Sequence, residues 1–177
     1  MAKTVLISIT GADRVGVIAA ITAHLFELGA DLGDSNFAVL GTSFEFSTVC
    51  ELPDSLGNRR AETELRALAP LENAEVRVSN FKYQPQHERS GRVSHRIQVS
   101  GGDQPGVLAR LTEVFGQFGA NIVSMNSQRQ IVRGRADYAT RFAVSIPKDR
   151  SDSCLAAIGN TAGQLQMIFT WEEAGTR

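Results

Sequence analysis

Two acidic residues, Asp13 and Asp103, sit in the same local setting: Gly11-Ala-Asp-Arg-Val-Gly16 and Gly101-Gly-Asp-Gln-Pro-Gly106. Each stretch runs directly into an apolar pattern of helical period that stops at Gly29 or Gly119. A glycine turn that opens a helix leaves backbone N–H groups unpaired at the positive end of the helix dipole, where an anion is held without a basic side chain. Gly16 and Gly106 would let that backbone approach a bound group closely, and Asp13 or Asp103 would accept a hydrogen bond from a cationic group such as an ammonium. The same residues suit plainer uses. Asp before a helix is a common N-cap, and a glycine there can serve only close packing of strand on helix. Phosphate chemistry is excluded, because the turns lack the Gly-Lys-Ser/Thr of a P-loop and the G-x-G-x-x-G of a dinucleotide site.

What must position these turns is a repeated unit. Residues 11–36 set against 101–126 without a gap give identities at 9 of 26 positions: Gly11/Gly101, Asp13/Asp103, Gly16/Gly106, Val17/Val107, Ala19/Ala109, Thr22/Thr112, Gly29/Gly119, Ala30/Ala120 and Asn36/Asn126. Glycine, acid and apolar positions are kept together, so the chain is a tandem duplication with a 90-residue offset.

In each copy a β-branched, apolar stretch (3–10 and 94–100) predicts a strand that leads into the turn. A helix follows at 15–29 and 105–119, with a stripe of Val17, Ile18, Ile21, Leu25 and Leu28 mirrored by Val107, Leu108, Leu111, Phe115 and Phe118. Pro105 fits a first helical turn, and Gly29 and Gly119 fit the position past its end. Two strands come next, 32–40 and 43–52 joined at Leu40-Gly41-Thr42-Ser43, and 121–131 and 136–147 joined by a longer turn over 132–137. A second helix is expected at 59–69, ended by Pro70, and a weaker one at 151–162, interrupted by Gly159 and Gly163. Last strands are expected near 75–82 and 164–171.

The order β-α-β-β-α-β predicts an α+β fold. Two interleaved right-handed crossings give a four-stranded antiparallel sheet with both helices on one face, the ferredoxin-like sandwich, built twice. The expected division is 1–83, a polar linker at 84–92 containing Pro85 and Gly91, and 93–177. The bare sheet face of each copy favours association with a further copy.

Composition narrows the function class. Hydrophobic residues make up 42% and charged residues 21% of 177, as in a core-forming chain. With 18 basic and 19 acidic residues the net charge is −1, so no global field draws the chain to nucleic acid or anionic lipid. The sequence MAKTVLISIT lacks the features of a signal peptide, and no apolar run reaches membrane-spanning length. Cys50 and Cys154 lie far apart in apolar patterns and read as buried free thiols of a reducing, cytoplasmic compartment. His24, His87 and His95 show no metal-ligand spacing, and no serine or cysteine stands in a nucleophile signature. Arg129, Arg133, Arg135 and Arg141 make the second hairpin locally basic, which fits a solvated hairpin or a docking surface for an acidic partner. RNA-stacking aromatics are absent from the central strands.

The pattern strand, G-x-D-x-x-G, V-[IL]-A-x-[IL]-T, G-A-[DN]-[LI] resembles the ACT domain, a small amino-acid-sensing regulatory module, and the resemblance covers about 1–172. Two such domains in a chain with no enzyme attached are similar to the glycine cleavage system transcriptional repressor family. The resemblance implies a non-enzymatic regulator, without cofactor or metal. It would bind a small amino acid, glycine or serine, at an interface between domains or subunits of a homo-oligomer such as a dimer, and would act on a partner protein rather than on nucleic acid or membrane. It places the ligand on Asp103, Gln104, Pro105, Gly106, Val107 and Asn121 in the second copy and on Asp13, Arg14, Gly16 and Asp31 in the first. The first copy departs from the pattern. Val15 replaces the proline, and Asp31 replaces Asn121, adding negative charge where a carboxylate would bind. The second site is therefore favoured. The alternative is a free-standing regulatory subunit of an amino-acid biosynthetic or one-carbon enzyme.

Overall fold

The computed structural model describes residues 3–84, 91–132 and 135–175. The chain divides into two compact units, Met1–Pro85 and Gln86–Arg177. The expected linker at 84–92 falls mostly on residues 85–90, outside the described residues.

The first unit runs β1 (Lys3–Ala12), α1 (Val17–Glu27), β2 (Asp31–Leu40), β3 (Ser43–Leu52), α2 (Asn58–Arg66) and β4 (Glu75–Asn80). The second repeats it as β5 (His95–Gly102), α3 (Val107–Gln117), β6 (Asn121–Val132), β7 (Arg135–Ser145), α4 (Ser151–Gln164) and β8 (Ile168–Glu173). The sheet orders are β2-β3-β1-β4 and β6-β7-β5-β8, and the registered pairs in both are antiparallel. Each unit is a ferredoxin-like βαββαβ sandwich.

Strand alternation explains how each core is built. Val5, Ile7 and Ile9 of β1, with Phe44, Phe46, Cys50 and Leu52 of β3, turn one face of the first sheet toward Val17, Ile21 and Leu25 of α1 and Ala61 and Leu65 of α2. The second core uses Ile97, Val99, Phe142 and Val144 against Val107, Leu111, Phe115, Cys154 and Ile158. Both cysteines are buried and free. Burial raises the pKa of each thiol, that of Cys50 to about 11 with Asp31 adding to the effect.

The cores are not copies. On the registers, β7 position 138 corresponds to β3 position 44, since Tyr138 faces Gly101 and Phe44 faces Gly11. Two steps along, Thr140 stands where the first unit has Phe46, and Phe142 where it has Thr48. Both threonines are buried and each is held by an edge-strand serine, Thr48 by Ser35 at 2.7 Å and Thr140 by Ser127 at 2.9 Å. One buried hydroxyl pair thus occurs in each unit, displaced by one inward-facing position.

Beyond shifts of a residue or two at several element ends, three boundaries differ from the sequence expectation. In the first of them α3 starts at Val107, so that Pro105 precedes the Gly106 cap instead of lying in a first helical turn. The helix expected at 59–69 ends at Arg66, and Pro70 lies inside a short 3-10 turn, Ala69–Leu71. A helix carried on to Pro70 would set its ring against the carbonyl of Arg66, and the chain leaves the helix through the extended Leu68 instead. The helix expected to be weakened by Gly159 and Gly163 runs unbroken for 14 residues, which moves the last strand from 164–171 to Ile168–Glu173. Gly159 is used for close approach rather than as a breaker, because a Cβ there would stand 3.3 Å from Phe169 Cδ1.

Candidate functional site

The two glycines of each motif have different jobs. Gly16 (φ +85°) and Gly106 (φ +82°) are left-handed N-caps of α1 and α3, and a Cβ on either would meet nothing within 4 Å. They set a backbone conformation that other L-residues adopt only at a cost of about 1–2 kcal/mol. Close packing is the work of the earlier glycines. A Cβ at Gly101 would lie 3.1 Å from Met167 Cα, and one at Gly11 2.9 Å from Ala74 Cβ.

Neither α1 nor α3 receives a side-chain cap, so Asp13 and Asp103 are not N-cap residues. Their own amides instead tie each turn to the neighbouring hairpin. Asp13 N–H donates to Thr42 O at 2.9 Å, and Asp103 N–H donates to Ala136 O at 3.3 Å. The helices begin at Gly16 and Gly106, whose carbonyls accept from Ala20 and Arg110. The N–H groups of a first helical turn have no acceptor within their own helix, and here no side chain caps them.

In the second unit this turn faces an open pocket of about 380 Å³, lined by residues 103–109 with Arg129 and Tyr138 from the β6–β7 hairpin. Asp103, Gln104, Pro105, Gly106 and Val107 are brought together there. Arg129 Nε donates to Asp103 Oδ2 at 2.8 Å, with the Arg129 side chain largely exposed and that of Asp103 only 25% exposed. Gln104 Nε2 donates to Leu165 O at 2.9 Å, so this amide fastens the turn to the end of α4.

Asn121 is not part of this pocket. It opens β6 and pairs with Ser145, whereas the turn meets β7 at Ala136, nine residues away. α3, 11 residues at about 1.5 Å each, holds Asn121 on the order of 15–20 Å from Gly106, too far for one small ligand to touch both within a unit. Asp31 in the first unit pairs with Glu51, equally distant from the turn's anchor at Thr42. It lies near Cys50 and contributes to raising that thiol's pKa.

The first turn differs in its wall. Asp13, Arg14 and Gly16 are exposed, as is Val15. At the register positions of Arg129 and Tyr138 stand Val39 and Phe44, and Phe44 is buried and stacked on Phe37 at 5.9 Å. The cation that meets Asp103 has no counterpart at Val39.

Arg129 is the residue that motif reasoning does not place. It lies 26 residues from Asp103, and the motif ends before it. Its signal is the strand register: Arg129 pairs with Tyr138, which pairs with Gly101 beside the turn. The other arginines of the hairpin divide. Arg141 Nε donates to Gln98 Oε1 at 3.2 Å, while Arg133 and the side chain of Arg135 lie outside what the structure describes. His95 is buried between Ser94 and Ser151, His24 lies 3.5 Å from Glu27, and His87 lies outside the described residues. Among the described residues no group of three or more His, Cys, Asp or Glu could hold a metal, and no helix is long and apolar enough to cross a membrane.

The ACT domain family matches this chain twice, over residues 3–79 and 95–152, and each match begins at the strand that leads into a glycine turn. The chain is a tandem ACT-domain protein. It is 29% identical over 129 residues to the glycine cleavage system transcriptional repressor of Escherichia coli (strain K12), and equally to that of Shigella flexneri. The match covers 71% of this chain and 64% of those relatives. Among solved structures, a protein of unknown function from Galdieria sulphuraria superposes with a TM-score of 0.77 at 19% identity, covering 99% of this chain and 100% of its own. A candidate glycine cleavage system transcriptional repressor superposes with a TM-score of 0.69 at 15% identity over 99% of both chains. These two likenesses establish the fold.

Proposed function

We propose that this tandem ACT-domain protein is a cytoplasmic, non-enzymatic sensor. It binds a small amino acid, glycine or serine, at the β5–α3 turn, and acts on a partner protein as a glycine-cleavage-type transcriptional regulator. The observation that carries the binding half is the α3 N-terminus. A left-handed glycine presents uncapped first-turn N–H groups to a pocket that also holds a carboxylate, Asp103. The N–H groups suit the ligand's carboxylate, and Asp103 suits its ammonium. The similarity to the repressors supports the regulatory half.

Asp103, Pro105, Gly106 and Val107 are the ligand contacts in this reading, and Gln104 keeps the turn in place. Asn121 joins the same ligand only where a further copy of the domain supplies it, which favours a homodimer. The first turn, with Asp13, Arg14 and Gly16 before an apolar wall and with Asp31 at the far end of the sheet, is silent. Ligand binding favours one arrangement of the protein and thereby changes its contact with the partner.

Calorimetric titration of the intact chain with glycine, L-serine and the remaining proteinogenic amino acids tests this. Saturable heat at one site per chain is expected. No heat with any amino acid at millimolar concentration rejects the sensor. Affinity capture from the source cell then separates a DNA-binding protein from a metabolic enzyme as the partner.

A further inference from the structure

The pocket carries a feature that the turn alone does not supply: its two opposite charges, on different elements, are paired with each other. Asp103 comes from the β5–α3 turn and Arg129 from β6, and Nε and Oδ2 are 2.8 Å apart. Both line the pocket. A pair with one strongly exposed member contributes little to folding, so stability alone gives it little reason to stand here.

We propose that Arg129 and Asp103 are the two poles that set the ligand class of this pocket: an α-amino acid inserts between them, its ammonium taking Asp103 and its carboxylate taking Arg129, and the β6–β7 hairpin parts from the turn. This rests on the amino-acid-binding reading above and adds the residue that completes it.

The charges select for both ends of the ligand at once. A simple carboxylate would satisfy Arg129 and the α3 N–H groups but leave Asp103 unpaired beside a second negative charge. A simple amine would satisfy Asp103 and leave Arg129 without a partner. Only a zwitterion replaces the broken pair at both poles, and an unreplaced charged partner is the more costly outcome. Val107, Leu108 and Tyr138 supply an apolar wall for the ligand's remaining atoms.

Insertion also has a mechanical consequence. The ligand's two charged groups cannot fit within a 2.8 Å contact, so Asp103 and Arg129 must separate. The main-chain link across the same gap is the bond from Asp103 N–H to Ala136 O, already 3.3 Å long. Arg129 stands in β6 opposite Tyr138 of β7, so a ligand carboxylate that holds its guanidinium away from Asp103 pulls on the hairpin that carries it. Occupancy is thus converted into a shift at the sheet's β6 edge. The first unit, with Val39 at the Arg129 position, has no second pole and no such device.

Calorimetry on the full chain tests the proposal, with circular dichroism confirming that each variant is folded. Against the amino acid that binds the wild type best, Arg129→Gln and Asp103→Asn should each weaken binding by ~10–100-fold, the loss of one charge-assisted contact. Arg129→Lys should recover part of that loss. Ethanolamine and glycolate, which carry one pole each, should bind at least ~10-fold more weakly than the amino acid. The Asp103 amide should exchange faster with ligand bound. Wild-type binding retained within about twofold in Arg129→Gln overturns Arg129 as a pole and leaves amino-acid sensing standing. Unchanged or slower exchange at Asp103 overturns the hairpin movement alone. A wild type that binds no amino acid rejects both readings.

Discussion

The two units share a backbone plan but differ where it matters for chemistry. Both turns use a left-handed glycine to start a helix, and both tie an aspartate amide to a hairpin carbonyl. The side chains on the facing hairpin then diverge. The second unit offers Arg129 and Tyr138, the first Val39 and the buried, stacked Phe44. The backbone requirement is evidently set by the fold, since it is met even where no charged wall accompanies it. A glycine turn by itself therefore marks the architecture, and the hairpin residue opposite it marks the site.

The largest expected effect tests how far the two cores are interchangeable. Phe142 is buried and packs edge-on to Phe115, ring centroids 5.2 Å apart, at the position where the first unit has Thr48. Phe142→Ala should cost about 3–5 kcal/mol through lost burial and a cavity. Thr48→Ala should cost only about 1–2 kcal/mol, chiefly by leaving Ser35 Oγ without its 2.7 Å partner. Chemical denaturation of the two variants checks the difference. Equal losses would mean that the displaced hydroxyl pair, not the ring, organises this layer.

Next in size are the turn glycines. Gly106→Ala and Gly16→Ala should each destabilise by about 1–2 kcal/mol, because the cost is backbone strain at positive φ and no neighbour stands in the way. Asparagine, which tolerates this conformation better, should recover much of the loss at both positions. Only the change at Gly106 should weaken binding of an amino acid, measured by calorimetry. Equal weakening at Gly16 would show that the first turn is not silent.

How much of this could be read beforehand follows from what each signal depends on. The element order was legible because strand and helix periodicities are local and the duplication presents each twice. The glycine turns were legible for the same reason. Gly159 misled, because a glycine in a helix reads as a breaker unless the partner it admits is known, and Phe169 arrives only through folding. Arg129 and Asn121 mark the limit of motif spacing from two sides. Register brings Arg129 to the turn from 26 residues away, while α3 holds Asn121 of the same unit at its far end. Motif spacing carries no register, so neither placement was visible in it.

A third contrast sits at the far end of the sheets, where Asp31 in the first unit replaces Asn121. Burial raises the Cys50 thiol from its ordinary 9.0 to about 11, and the charge of Asp31 adds to this. A thiol whose folded pKa is raised favours folding fully while pH stays below 9.0, and this contribution is lost as pH climbs toward about 11. Stability should therefore fall across that window. Asp31→Asn, which makes the first unit resemble the second, should leave the onset near 9.0 where it is, end the decline at a lower pH and make the total loss smaller. Denaturation midpoints between pH 8 and pH 11 give the measurement. An unchanged curve would remove Asp31 as a contributor.

The smallest effect on stability attends the change that most directly erases the difference between the two turns. Val39→Arg places a guanidinium at the register position of Arg129, opposite Phe44 and toward Asp13. Val39 is about half exposed, so little burial is lost, and a new surface pair returns at most about 1 kcal/mol. The net change in stability should be within about 0.5 kcal/mol, and a double-mutant cycle with Asp13→Asn should give a coupling of about 0.2–1 kcal/mol if the pair forms. The informative measurement is calorimetric stoichiometry. If a missing cation is what silences the first turn, Val39→Arg should raise the number of bound amino acids per chain from one toward two. If the pair forms by the coupling measurement and the stoichiometry stays at one, a cation opposite the turn is not sufficient, and the apolar packing of Phe44 on Phe37, which the second unit lacks at Tyr138 and Ser127, becomes the feature that closes the first site.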